Sequence, residues 1–331
     1  MAIGNIPARK RGFGYDPVTR SLGVYTDGQL TASFPPTPGR TYFVNNITGS
    51  ATNDGLSWGT AMDEVSTAVT ASETYRQLGG EEGGRSVTTN DYVRNTIIVQ
   101  GTGTAYAALT TLPLYCDLVG LGADPRGTGA GIARIGSDSV AGYAVTCTDT
   151  IRGLNVYNIQ FQGGASNYIF TIENMYRSTF TNCAFMTPGV ATGHPTAAFH
   201  SSVNSGSLVF DHCLIGGSSC SKGTESSIGM MIAGTGWTNC LVENCFISGL
   251  QGVTVASTVV SNWGSMFKNN FIGQSPTTCS IGVNDDSVSG SGYIIYAGNY
   301  FQATAPFDIE NNTARAIGNY WKGALITGAN A

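Results

Sequence analysis

From Gly153 to Trp321 the apolar and polar positions repeat one six-residue phrase: apolar, outward, a bending residue, small, outward, bulky apolar. Four copies read Val156-Tyr157-Asn158-Ile159-Gln160-Phe161, Phe180-Thr181-Asn182-Cys183-Ala184-Phe185, Phe210-Asp211-His212-Cys213-Leu214-Ile215 and Val242-Glu243-Asn244-Cys245-Phe246-Ile247. Three more follow as Phe267-Lys268-Asn269-Asn270-Phe271-Ile272, Tyr296-Ala297-Gly298-Asn299-Tyr300-Phe301 and Ala316-Ile317-Gly318-Asn319-Tyr320-Trp321. The third positions lie 24, 30, 32, 25, 29 and 20 residues apart. Recurrence on that scale marks a solenoid, whose units bury their faces only by stacking on one another. Only Asn, His or Gly occupies the third position. These residues best tolerate the left-handed backbone region, so the position predicts a corner between two short strands.

With a corner there, the first, fourth and sixth positions point inward, and like residues fall over like in successive units. The fourth column reads Ile, Cys, Cys, Cys, Asn, Asn, Asn, and the sixth holds Phe and Ile before ending in Trp321. At the strand spacing of about 4.8 Å this is the side-chain ladder of an all-β parallel β-helix. An antiparallel β-sandwich carrying chance phrases is the alternative.

Composition agrees with a turn-rich solenoid, with 45 glycines and 11% charged residues among 331. The aromatic content of 10% argues against disorder. A net charge of −5 gives no support to a phosphate-binding surface and argues against nucleic acid as a partner. Eight cysteines form no C-x-x-C pair; Cys183, Cys213, Cys240 and Cys245 fall on inward positions, so they are expected to be free core thiols of a protein folded in a reducing cytoplasm. The first residues lack the apolar core of a signal peptide and no long apolar run occurs, so neither export by the common route nor membrane insertion is expected.

Residues 1–40 carry five Lys or Arg against two Asp, whereas the remainder carries eleven against nineteen. This segment opens with Arg9-Lys10-Arg11, is broken by Pro35-Pro36-Thr37-Pro38, and shows a hairpin signal at Asp27-Gly28. Being too short for a core of its own, it either packs on the solenoid or docks into a partner. A strand is predicted at 41–44 and a capping helix at about 61–78, with Thr60 as N-cap, Asp63 three residues on and Gly79-Gly80 as the stop. Such a helix protects the open edge of a first coil.

The succession Tyr42-Phe43-Val44, Asn53-Asp54-Gly55-Leu56-Ser57-Trp58, a helix, Thr96 to Tyr106 and Leu118-Val119-Gly120-Leu121-Gly122 resembles the start of pectate-lyase-like right-handed β-helix proteins, those of bacteriophage tail spikes and related virion proteins above all. The resemblance spans about residues 41–321. It implies a right-handed single-stranded coil, a homotrimer, and attachment to the particle by an N-terminal segment, here 1–40 with Arg9, Lys10 and Arg11. It is specific for fold and weak for function, because this fold hosts lyases, hydrolases and proteins without catalysis.

Chemistry would sit on the outward columns. The second position reads Tyr157, Thr181, Asp211, Glu243, Lys268, Ala297, Ile317. Asp211 and Glu243 fall on adjacent coils, close to the roughly 5 Å of a retaining glycosidase pair, or they belong to a solvated acid-acid-base face. No dense acidic cluster beyond Asp285-Asp286 appears, His194 and His200 read as loop residues, and His212 is explained by its corner. No enzyme, cofactor or metal is therefore expected. The fifth position turns apolar toward the C-terminus through Leu214, Phe246, Phe271, Tyr300 and Tyr320. Such a stripe marks a homotrimer contact, a strip covered by the chain itself, or a sugar-stacking platform. Long Ser-, Thr- and Gly-rich stretches at 187–206, 216–236 and 273–292 read as loops suited to neutral ligands such as glycans.

The expectation is a structural virion protein on the particle surface, a trimeric tail spike or capsid decoration that contacts other virion proteins through 1–40 and engages host surface polysaccharide. A β-helix polysaccharide lyase or glycoside hydrolase and a glycan-binding adhesin are the alternatives.

Overall fold

All seven third-position residues adopt the left-handed conformation, with φ of 56° at Asn158, 49° at Asn182, 53° at His212, 55° at Asn244, 54° at Asn269, 64° at Gly298 and 61° at Gly318. The computed structural model describes residues 39–77, 93–127, 129–136, 142–164, 168–186, 195–216, 228–273, 279–288, 293–309 and 314–326, together with the backbone of 11–16, 21–26 and 29–33. Each bend ends a strand of one sheet and starts a strand of the next, and the chain winds as a right-handed parallel β-helix with three walls.

Among the described residues sheet I has ten strands, from Thr41–Val44 and Asn95–Gln100 through Val209–Asp211, Leu241–Glu243 and Met266–Lys268 to Ala314–Ile317. Sheet II begins at Arg134–Gly136, continues through Leu214–Gly216, Phe246–Ile247, Phe271–Ile272 and Tyr300–Phe301, and ends at Asn319–Trp321. There Ala324–Ile326 folds back antiparallel and closes the edge. Sheet III comprises Val145–Arg152, Phe170–Tyr176, Ala197–Gly206, Ile228–Ile232, Gln251–Val255, Ile281–Asp285 and Ala305–Ile309, with Gly236–Thr238 beside Ala197–Gly206. The stretches read as loops at 187–206, 216–236 and 273–292 thus contain sheet III strands. Their short Ser- and Gly-rich sequences hide the alternation, and the register slips between Ile172 and Asn174.

A second column of left-handed residues turns sheet III into sheet I: Tyr115, Gly153, Arg177, Ser207, Asn239 and Gly264. Residue type does not announce it. What holds the bends is the ladder itself, since Arg177 N donates to Gly206 O at 2.9 Å and Ser207 N to Thr238 O at 2.8 Å in the following coil.

The inward columns are buried as the pattern requires, except that Ala316 and Trp321 of the last unit are half-buried. Aromatic rings stack between coils, Phe180 on Phe210 at 4.9 Å and Phe161 on Phe185 at 5.1 Å, and meet edge-on between walls, as Phe161 meets Phe170 at 4.9 Å. Each such pair adds about 1 kcal/mol beyond area burial. All seven described cysteines are buried and unpaired, and burial pushes the Cys116 and Cys240 thiols up to about 12.

The fourth column solves a backbone problem that the bend creates. Bending takes the first-position carbonyl and the fourth-position N–H out of the strand ladder, and the fourth side chain of a neighbouring coil satisfies them. Cys183 Sγ donates to Val156 O at 3.5 Å and Cys213 Sγ to Phe180 O at 3.4 Å. Asn270 and Asn299 donate to Val242 O and Phe267 O at 2.9 and 3.0 Å, and Asn319 donates to Tyr296 O at 2.8 Å. Thiol and amide are two versions of one device.

The helix spans Val65–Gln77 and packs across the first two strands of sheet I, burying Val65, Ala68, Val69, Ser72 and Arg76. It begins four residues later than the capping pattern predicts. Met62 pairs instead with Val44, taking Phe43 O at 2.9 Å and giving its own carbonyl to Asn45 N at 2.8 Å, so residues 61–62 are extended. Ser57, not Thr60, caps the short turn Trp58–Thr60. In the N-terminal segment, Arg11–Asp16, Ser21–Thr26 and Gln29–Ser33 form a three-stranded antiparallel sheet whose second pair flanks Asp27-Gly28. Arg9 and Lys10 lie outside the described residues, and only the backbone of Arg11 is described.

Candidate functional site

The acid-acid-base row exists in space. Asp211 pairs in register with Glu243, and Glu243 with Lys268, on three consecutive strands of sheet I. Inward neighbours Phe210, Val242 and Phe267 are fully buried, so strand alternation turns the three charged side chains outward. Lys268 Nζ lies 4.0 Å from Glu243 Oε2. Asp211 Oδ1 accepts hydrogen bonds from His212 Nδ1 at 2.6 Å and from Asn244 Nδ2 at 3.0 Å. Asp211 is therefore a held carboxylate, whereas the Glu243 carboxylate has a cation beside it and, among the described residues, no hydrogen-bond donor fixing it. The pattern of the sequence locates the row; the tie between Asp211 and His212 depends on the rotamer at a left-handed corner and leaves no trace in it.

The stripe on sheet II is also continuous, since Leu214, Phe246, Phe271, Tyr300 and Tyr320 follow one another in register. Its rings stack on each other, Phe246 on Phe271 at 5.0 Å and 7°, Phe271 on Tyr300 at 5.3 Å and 23°. Phe271, stacked on both sides, thus turns its edge and not a face outward. Toward the N-terminus the same column is covered by the chain, with Gln160 buried and its amide donating to Pro125 O and Gly127 O at 2.6 and 3.0 Å. Tyr300 and Tyr320 remain 40% and 46% exposed.

Two other candidates change character. His200 is not a loop residue but stands on the sheet III strand Ala197–Gly206, buried under Tyr168 at a ring distance of 3.9 Å, with Nδ1 2.9 Å from Thr171 Oγ1. Desolvation holds its imidazole down to about 4. Asp285 points into the solenoid, where Ser287 N and Oγ donate to Oδ1 at 3.1 and 2.6 Å and Tyr296 donates to Oδ2 at 3.2 Å; burial pushes this carboxyl up. It belongs to no surface acidic cluster. His194 lies outside the described residues. Among the described residues no three His, Cys, Asp or Glu side chains gather to hold a metal, and no helix is long and apolar enough to cross a membrane.

No family model and no curated protein matches the chain. Among solved structures it is similar to pectate lyase Pel9A, with a TM-score of 0.50, 12% identity, and coverage of 88% of this chain and 81% of that one. Pectin methylesterase PemA from Erwinia chrysanthemi matches with a TM-score of 0.44, 10% identity and coverage of 87% and 91%. ORF18 of Geobacillus virus E2 matches with 0.31, 11%, 92% and 69%. The fold is the pectate-lyase-like right-handed parallel β-helix. The expectation that the chain is no enzyme is corrected by this likeness, because the scaffold it shares is that of a lyase. That expectation treated Asp211, Glu243 and Lys268 as a solvated face.

Proposed function

We propose that the chain cleaves polysaccharide on the outer face of sheet I and is carried on a bacteriophage particle as a tail-spike-like trimer. The observation that supports cleavage is the register-matched row Asp211, Glu243, Lys268, which sets two carboxylates one strand spacing apart with a cation beside the second. Carboxylates so placed can serve glycosidic bond cleavage as base or as the group that orients a proton donor, and Lys268 suits an acidic sugar.

Incubation with host capsule or lipopolysaccharide should release new reducing ends. Glu243→Gln is expected to reduce the rate at least about 100-fold, with Asp211→Asn also impaired. Absence of reducing ends and of unsaturated sugars across such polymers would remove the cleavage reading, and a saccharide retained without cleavage would leave an adhesin.

The sheet II ladder supports contact between copies, because a stacked ring offering its edge, as Phe271 does, suits apolar packing better than a sugar ring, which needs a free aromatic face. Light scattering should give the mass of three chains, and Phe271→Asp should shift it to that of one. A wild-type monomer would defeat this part alone. Residues 1–40 are assigned to particle attachment on the strength of their basic charge and separate antiparallel sheet.

A further inference from the structure

Of the seven described residues that turn sheet I into sheet II, six are Asn or Gly and carry no transferable proton; His212 is the exception among them. The bend does not require it, since Asn serves the same conformation one coil before and one coil after. It falls beside the paired carboxylates and is bonded to one of them, Nδ1 to Asp211 Oδ1 at 2.6 Å, while its side chain is 60% exposed. With Nδ1 tied down, Nε2 is the nitrogen left for a ligand. The same Asp211 oxygen is steadied from the next coil by Asn244 Nδ2 at 3.0 Å, so ring and carboxylate are fixed as a unit. His212 N donates to Glu243 O at 3.4 Å, which places Glu243 diagonally across the neighbouring strand.

We infer that His212 is a catalytic residue, the proton donor in glycosidic cleavage, that Asp211 is its positioning residue, and that Glu243 is the base. This rests on the cleavage reading above. In the step, Glu243 takes a proton from water as the water oxygen bonds to the anomeric carbon. The bond from that carbon to the bridging oxygen breaks with its electron pair on the oxygen, and His212 Nε2 delivers the proton that completes the leaving hydroxyl. Solvent then restores a proton to His212 and removes one from Glu243. In the strand register the charged groups near His212 are Asp211 on its own strand and Glu243 and Lys268 on the following coils, and Arg126 is close enough to act on the adjacent Cys213; the preceding coil presents Thr181 and Asn182, which are uncharged.

The left-handed φ makes the test clean, because His212→Asn and His212→Gly both suit the corner. His212→Asn should fold as the wild type does, lower kcat about 100-fold with KM little changed, and lose one limb of the pH-rate profile. His212→Gly should regain activity when imidazole is added. Asp211→Asn should lower kcat and displace that limb without removing it. If His212→Asn stays within about twofold of the wild type with the same pH profile while Glu243→Gln is inactive, the assignment of His212 falls and cleavage stands. If the wild type releases no reducing ends, both fall together.

Discussion

Asn299→Ala is expected to destabilise the chain by about 4 kcal/mol, read as a lowered urea midpoint at unchanged slope. Asn299 is fully buried and works on both sides. Its Oδ1 accepts from Asn270 N and Nδ2 at 2.9 and 3.0 Å, and its Nδ2 donates to Phe267 O and Asn319 Oδ1, both at 3.0 Å. Truncation leaves a buried N–H and a buried carbonyl unpaired, at about 1–3 kcal/mol each, and opens a void at the junction of three coils. Asn299→Cys should recover about half of the loss, because the thiols of the same column already make both contacts: Cys213 Sγ donates to Phe180 O at 3.4 Å and Cys245 Sγ accepts from Cys213 N at 3.4 Å. An alanine variant losing under about 1 kcal/mol, or a cysteine variant no better than alanine, would show that water reaches these groups.

Acidification should remove about 3 kcal/mol through His200. Its folded value of about 4 lies below the roughly 6.5 of a free imidazole, so the folded chain binds fewer protons between them. The stabilisation is complete above about pH 6.5 and is lost as the pH falls toward about 4. His200→Gln lacks the titrating group, so the wild-type advantage should shrink by up to that amount between pH 7 and pH 4. A difference that stays constant across this range would mean that the ring reaches water despite Tyr168 above it.

What the chain discloses by itself follows physical compulsion. A left-handed corner restricts residue type, so the column from Asn158 to Gly318 is legible, and the inward thiols, amides and rings follow from it by alternation. The corner from Tyr115 to Gly264 accepts Tyr, Arg and Ser because neighbouring strands enforce it, and it is silent. Sheet III is hidden for a related reason: a stretch such as Ala-Ala-Phe-His-Ser-Ser-Val-Asn-Ser-Gly at 197–206 is a strand because the coils on both sides pair with it. The Asp211, Glu243 and Lys268 row is readable as a column, whereas the role of His212 emerges only from the bond that its ring makes.

The walls also enclose the thiols of the described residues. With each described thiol facing the interior, an alkylating reagent in solution meets a sulfur only after a coil has parted from its neighbour. The rate of labelling at each cysteine therefore counts partings of that stretch of wall, and comparing Cys147, Cys213 and Cys279 would tell from which end the winding comes undone.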